Sequence, residues 1–109
     1  MKPLVNPIST SLSHQQSMRY ARHVMLPALD FIGQERILAA RVLIVGVGGL
    51  GCAVAPYLAS SGVGTLYLAD HDSIDESNLQ RQILFRESDV GANKAETAAS
   101  ALQQLNSSI

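Results

Sequence analysis

Five residues, Arg41-Val-Leu-Ile-Val45, run straight into Gly46-Val-Gly-Gly-Leu-Gly51 and then into an alanine-rich stretch ending at Ser61. No other feature limits the possible folds of this chain as much. A β-branched apolar run of that length suits a strand buried on both faces. Cys52 to Ser61 suits a helix, Gly62-Val-Gly64 punctuates it, and Thr65-Leu-Tyr-Leu-Ala69 reads as a second strand ending at Asp70. Strand, helix and strand in that order make one crossover, which requires a parallel pair joined right-handedly. The fold class is therefore α/β.

Around this unit the signals are weaker. Residues 1–14 read as a flexible tail, rich in Pro, Asn, Ser and Thr without a sustained apolar face. Met18, Ala21 and Met25 predict a helix over 15–25, ended by Pro27. A second short helix is expected over 33–40, burying Ile37 and Leu38. A helical turn is expected over 78–84. A last helix over 93–105 carries Ala95, Ala98, Ala99, Leu102 and Leu105 as one stripe. Pro56 conflicts with the central helix, since a mid-helix proline costs about 3 kcal/mol; it predicts either a kink or an irregular first turn.

The chemistry lies at the glycines. Gly46-x-Gly48-x-x-Gly51 follows a strand and opens a helix, the context in which such a loop binds phosphate. In that pattern Gly46 permits the turn, Gly48 lets backbone approach the anion, and Gly51 lets helix and strand pack. Free N–H groups and the dipole at the helix start favour negative charge. Asp70 ends the next strand, where an acid can accept from ribose hydroxyls. The unit is thus Rossmann-like, the N-terminal portion of a doubly wound parallel sheet. Asp72, Asn78, Arg81 and Gln82 lie just beyond the strand's C-terminal end, with Asn78, Arg81 and Gln82 at i, i+3 and i+4. Lys94 adds a second cation. Two cations and amides suit a triphosphate better than a hydride donor, although NAD fits the loop and Asp70 equally well. Taken singly, Arg81 and Lys94 could be solvated charges, Asp72 a turn former and Asn78 a helix cap.

Composition removes several classes. Eight basic residues against nine acidic ones give a formal charge of −1, which offers no footprint for nucleic acid or a membrane surface. The apolar stretch from Val42 to Ala59 is broken by glycines and Pro56, so it is not a membrane span. No signal-peptide core is visible in residues 1–17, which makes the cytoplasm the expected location. One cysteine in 109 residues allows neither an internal disulfide nor a zinc site from this chain alone.

Arg19-Tyr-Ala-Arg22, Gly33-Gln34, Val42 to Gly51, Gly62-Val-Gly64, Asp70-x-Asp72, Ser77-Asn-Leu-Gln-Arg-Gln82, Gly91 and Lys94 together resemble the ThiF/MoeB/HesA family, bacterial relatives of ubiquitin-activating enzymes. The resemblance covers about residues 18 to 106, and its Asn-Leu-x-Arg-Gln element is specific. It implies an enzyme, an adenylyltransferase. Such an enzyme uses ATP and magnesium to activate the C-terminal Gly-Gly carboxylate of a ubiquitin-like sulfur-carrier protein in molybdopterin or thiamine biosynthesis, releasing pyrophosphate. Residues 15–109 would then be the N-terminal part of an ATP-binding adenylation domain. By the resemblance, Gly46, Gly48, Gly49, Gly51, Asp70, Asp72, Asn78, Arg81, Gln82 and Lys94 bind the nucleotide, and Arg22, Arg81 and Lys94 carry catalysis. It further implies a homodimer in which Arg22 enters the partner's site. A magnesium ligand, and a possible zinc site, are expected beyond residue 109. His23 stands where the family has Gln and is assigned no catalytic role, because nothing near it in sequence pairs with it. Cys52 takes a position of small packing residues and is expected to be buried and inert. The alternatives left open are an NAD-binding oxidoreductase fragment and a non-catalytic module that binds a partner chain.

Overall fold

The computed structural model describes residues 11–109. The first ten positions of the expected tail lie outside the described residues. Ser13 starts the first helix with a reciprocal cap: its hydroxyl accepts from the Gln16 N–H, and the Gln16 side chain accepts from the Ser13 N–H. Helix α1 is His14–Arg19. The single helix expected over 15–25 is divided at Tyr20, and α2 runs Ala21–Val24. The predicted stripe fails for a specific reason. Tyr20 is the residue the fold buries, and Met18 and Met25 face outward. Helix α3, Asp30–Ala39, begins three residues sooner than its glycine suggested. Its buried side chain is Gln34, with Ile37 and Leu38 only half-buried.

Strands β1 (Arg41–Val45) and β2 (Thr65–Ala69) pair in parallel, from Arg41 opposite Thr65 to Val45 opposite Ala69. Helix α4, Gly49–Ser61, connects them, and α5, Lys94–Leu105, follows. Both helices pack on one face of the sheet, where Ala55, Ala59 and Leu102 meet Ile44, Leu66 and Leu68. Leu43, Val45 and Tyr67 on the opposite face are exposed. The strand expected to be buried on both faces is covered on one only, because no described helix packs against the other. Helix α4 continues through Pro56 and ends at Gly62 in the left-handed region, φ 97°. The predicted stripe on α5 is realised by Ala98 and Leu102; Ala99 and Leu105 are exposed, and Lys94 turns inward.

The residues after β2 matter most for the site. The segment around Ile74 pairs with residues 91 and 92 through Ile74 N–H to Ala92 O and Gly91 N–H to Ile74 O, both 2.8 Å. This pairing brings the start of α5 back to the end of β2. Between them a 3₁₀ turn, Glu76–Asn78, replaces most of the helical turn expected over 78–84. A second 3₁₀ turn spans Glu87–Asp89. Val47, Cys52, Ile74, Phe85 and Ala98 form a core directly beneath the glycine loop. Among the described residues, no helix is long and apolar enough to cross a membrane.

Candidate nucleotide site

The loop requires glycine at two positions for different reasons. Gly46 has φ 90°, in the left-handed region that side chains disfavour. A Cβ on Gly51 would stand 2.2 Å from the Gly46 carbonyl oxygen, so only glycine lets the first turn of α4 close onto the strand end. No side chain caps this helix, although the first N–H groups of a helix have no partner within it. The loop is therefore a backbone surface of open donors above an apolar floor.

Asp70 braces that surface. One carboxylate oxygen accepts from the Val47 N–H at 2.8 Å and the other from the Asp72 N–H at 2.9 Å. Burial pushes the Asp70 carboxyl up, but those two backbone donors, together with the positive charge of Lys94 and of His71, outweigh it and hold the group below the usual carboxylate range. Each oxygen keeps a lone pair that a ribose hydroxyl could use. Asp70 thus fixes the shape of the loop.

Arg81 and Gln82 come to the same loop. A Cβ on Gly49 would lie 3.8 Å from the Arg81 Cδ and Nε, and one on Gly48 would lie 3.8 Å from the Gln82 Nε2. Arg81 is exposed and lies over the helix start, steadied by its Nη1 donating to the Ser77 carbonyl at 3.2 Å. Gln82 is 2 % exposed, and its Oε1 is buried without a hydrogen-bond partner. Lys94 is 7 % exposed, and among the described residues its ammonium forms no ion pair and no hydrogen bond. Its charge acts on both Asp70 and Cys52, which border the loop from below. It is also the first residue of α5, the end of a helix least favourable to a cation.

Three other expected residues are placed differently. The Asn78 Oδ1 accepts from the Asp75 N–H at 2.8 Å as half of a reciprocal cap, so this atom holds the turn that carries Arg81. The Asp72 carboxylate is exposed beside His71, Nε2 to Oδ1 3.4 Å, while its carbonyl accepts from the Lys94 N–H at 3.0 Å. Arg22 is exposed on α2, at the far end of α4. A Cβ on Gly62, next after α4, would lie 2.7 Å from the Tyr20 ring. The 13 residues of α4 put the glycine loop about 20 Å away at 1.5 Å per residue. That is beyond the reach of an arginine two residues from Tyr20.

Cys52 is buried, and desolvation pushes its thiol above the usual range despite the Leu84 backbone and Lys94. The expectation of an inert thiol agrees with this. His23 does have a partner: its Nδ1 lies 2.9 Å from the Gln34 Oε1, eleven residues away. Gln34 and Tyr20 belong to the runs that carry the resemblance, but their pairing with His23 and Asn106 is not legible in the sequence, because contacts across 11 to 86 residues leave no local pattern. An open cleft of about 540 Å³ runs from Val42 along β1 to Gly48 and Gly49. A larger one of about 630 Å³, lined by Pro56, Leu84, Arg86 and Thr97, contains none of the expected site residues.

Residues 20–109 match the ThiF family. The chain belongs to that family. Among curated ThiF relatives it is 52 % identical over 99 residues to the adenylyltransferase and sulfurtransferase MOCS3 of Mus musculus, spanning 91 % of this chain and 22 % of that protein. It is 53 % identical over 95 residues to the molybdopterin-synthase adenylyltransferase of Escherichia coli, spanning 87 % of this chain and 38 % of that protein. The chain therefore spans well under half the length of these relatives. Among solved structures, PaaA superposes with a TM-score of 0.84 at 38 % identity over 89 % of this chain and 34 % of PaaA. E. coli MccB with ATP superposes with a TM-score of 0.69 at 46 % identity over 70 % of this chain and 22 % of MccB.

Proposed function

We propose that this ThiF-family chain binds ATP at the glycine loop and serves an adenylyltransferase that activates the C-terminal Gly-Gly carboxylate of a ubiquitin-like sulfur carrier. The observation that carries the reading is Lys94, a lysine only 7 % exposed whose ammonium forms no ion pair among the described residues, at the start of α5 beside the open N–H groups of the glycine loop. A polyphosphate offers both the lysine and the loop donors the negative charge that Asp70 and Asp75 supply only in part. Arg81 adds a two-pronged donor from the open side. Gln82 faces Gly48 with its Nε2, an amide donor that suits a phosphate oxygen. The names of the relatives in mouse and E. coli support the adenylyl transfer and the molybdopterin branch, and the MccB structure supports ATP as the nucleotide.

In the reaction, a carboxylate oxygen of the carrier attacks the α-phosphorus of ATP. The bond to the bridging oxygen breaks, and pyrophosphate leaves with the electron pair. A carboxylate is ionised at neutral pH, so no residue has to act as a base. What the chain supplies is position and charge: Asp70 orients the ribose, while the loop N–H groups, Arg81 and Lys94 neutralise the charge developing toward the leaving group. Magnesium prefers several hard oxygen ligands. Asp70, His71 and Asp72 have ligand atoms within 4.8 Å of one another, but they offer two carboxylates and an imidazole, short of the oxygen-rich shell that magnesium takes. The described residues do not make a magnesium site by themselves. A single cysteine makes no zinc site either.

Arg22 serves this site only from a second copy of the chain, since its own loop is out of reach. The N-terminal helices and the link between α2 and α3 support that arrangement with Met18, Met25, Leu26, Phe31 and Ile32, all half or more exposed, apolar surface of the kind an interface covers. Titration calorimetry tests the nucleotide directly. ATP should bind more tightly than NAD, and Arg81→Ala should weaken ATP by about 10- to 100-fold. NAD binding more tightly and unaffected by that substitution would favour the oxidoreductase reading.

A further inference from the structure

Two side chains buried between the N-terminal helices and the sheet unit have both the nitrogen and the oxygen of their amide groups hydrogen-bonded, and neither touches the nucleotide site. Gln34 donates through Nε2 to the Ser61 carbonyl at 2.8 Å, and its Oε1 meets the His23 Nδ1 at 2.9 Å. Asn106 donates through Nδ2 to the Ala59 carbonyl at 2.8 Å and to the Tyr20 hydroxyl at 2.7 Å. The Asn106 Oδ1 accepts from the Ser108 N–H and hydroxyl at 3.1 and 2.7 Å. Both carbonyls belong to the last turn of α4, where helix oxygens have no partner in the helix. Each amide thus joins the end of α4 to one residue beside Arg22: Tyr20 on one side and His23 on the other. The Tyr20 and His23 rings stack at 6.4 Å, completing the frame.

We infer that Gln34 and Asn106 are positioning residues for Arg22, clamping α2 to the C-terminal end of α4 so that the arginine is presented at a fixed place to a second copy of the chain. The inference rests on the reading of Arg22 as acting across a dimer. Apolar contact is non-directional, and Met18, Met25, Leu26, Phe31 and Ile32 of this arm are exposed rather than packed. Hydrogen bonds are directional, and here they tie the residues on both sides of Arg22. Glycine at 62 belongs to the same device, since a Cβ there would strike the Tyr20 ring and the Gln34 Nε2 at 2.7 and 2.8 Å.

Subunit mixing tests this, with carrier-dependent pyrophosphate exchange as the readout. Gln34→Leu alone should lose activity by about 10- to 100-fold, as misplacement of a catalytic group does. Mixed and re-equilibrated with an equal amount of Lys94→Ala, it should recover about a quarter of wild-type activity, because half the dimers are mixed and each has one site with intact pocket and intact arm. Arg22→Ala mixed with Lys94→Ala is the control. Recovery in the control but not with Gln34→Leu would overturn the positioning role and leave the trans reading standing. Recovery in neither would overturn the trans reading and this inference with it. Should Gln34→Leu fail to fold, Tyr20→Phe, which removes only the hydroxyl, goes through the same mixing. Full activity of folded Gln34→Leu, or of Tyr20→Phe where that variant is the one used, would also overturn the inference.

Discussion

Replacing Lys94 by methionine should make the nucleotide-free protein more stable and the nucleotide complex weaker. The opposite signs follow from the geometry. Lys94 is 7 % exposed, opens α5 and has no ion pair among the described residues. Its charge is only partly relieved by Asp70 and Asp75, whose carboxyls it helps to hold low. Methionine keeps the buried stem and drops the charge. Replacing buried ionic groups with apolar ones of similar volume gains up to a few kcal/mol, and about 1–2 kcal/mol is expected here. For a chain of this size that raises Tm by roughly 5–15 °C. With ATP present the sign reverses. Losing a charge-assisted contact to phosphate costs about 2–4 kcal/mol, so the stabilisation of about 2.7 kcal/mol that ligand at a hundredfold over Kd gives the parent should nearly vanish. Thermal unfolding of both proteins, with and without ATP, measures the two effects together. A variant less stable without nucleotide that keeps the full ATP shift would show Lys94 to be a structural residue, and the argument from its burial would fail.

Gly51→Ala should destabilise by about 3 kcal/mol or more, read as a lower urea midpoint, because its Cβ would stand 2.2 Å from a backbone oxygen that cannot move aside; an unchanged midpoint would mean the loop is looser than described. Asp70 titrates below its ordinary 3.8, so its contribution to stability is present above that value and is lost as pH falls through the folded pKa; Asp70→Asn should flatten the acid limb of Tm against pH, and an unaltered limb would refute the brace. Cys52 titrates above its ordinary 9.0, so its contribution is present below that value and is lost as pH rises through the folded pKa. Native protein should accordingly resist alkylation by iodoacetamide until it unfolds; rapid labelling of folded protein would contradict its burial.

The parts legible from sequence are those with short-range causes. Val42 to Ala69 announced strand, glycine loop, helix and strand because period, β-branching and glycine spacing all act within a few residues, and the parallel pair followed from the crossover. Asp70, Arg81, Gln82 and Lys94 were placed by their position behind that loop. What sequence did not reveal needed the third dimension. The break at Tyr20 depends on Asn106, 86 residues on, and the burial of Gln34 depends on the end of α4. Asn78 was read both as a ligand and as a cap, and its Oδ1 serves as the cap. Val, Leu and Ile in β1 suit a doubly buried strand, yet residue type alone does not say which face is covered.

The most direct test of the account is exchange of labelled pyrophosphate into ATP in the presence of a ubiquitin-like carrier ending in Gly-Gly. Exchange should require a free C-terminal carboxylate, disappear when that carboxylate is amidated, and fall with Arg81→Ala and Lys94→Met. Exchange indifferent to the carboxylate, or none at all under conditions where ATP and carrier both bind, would contradict it.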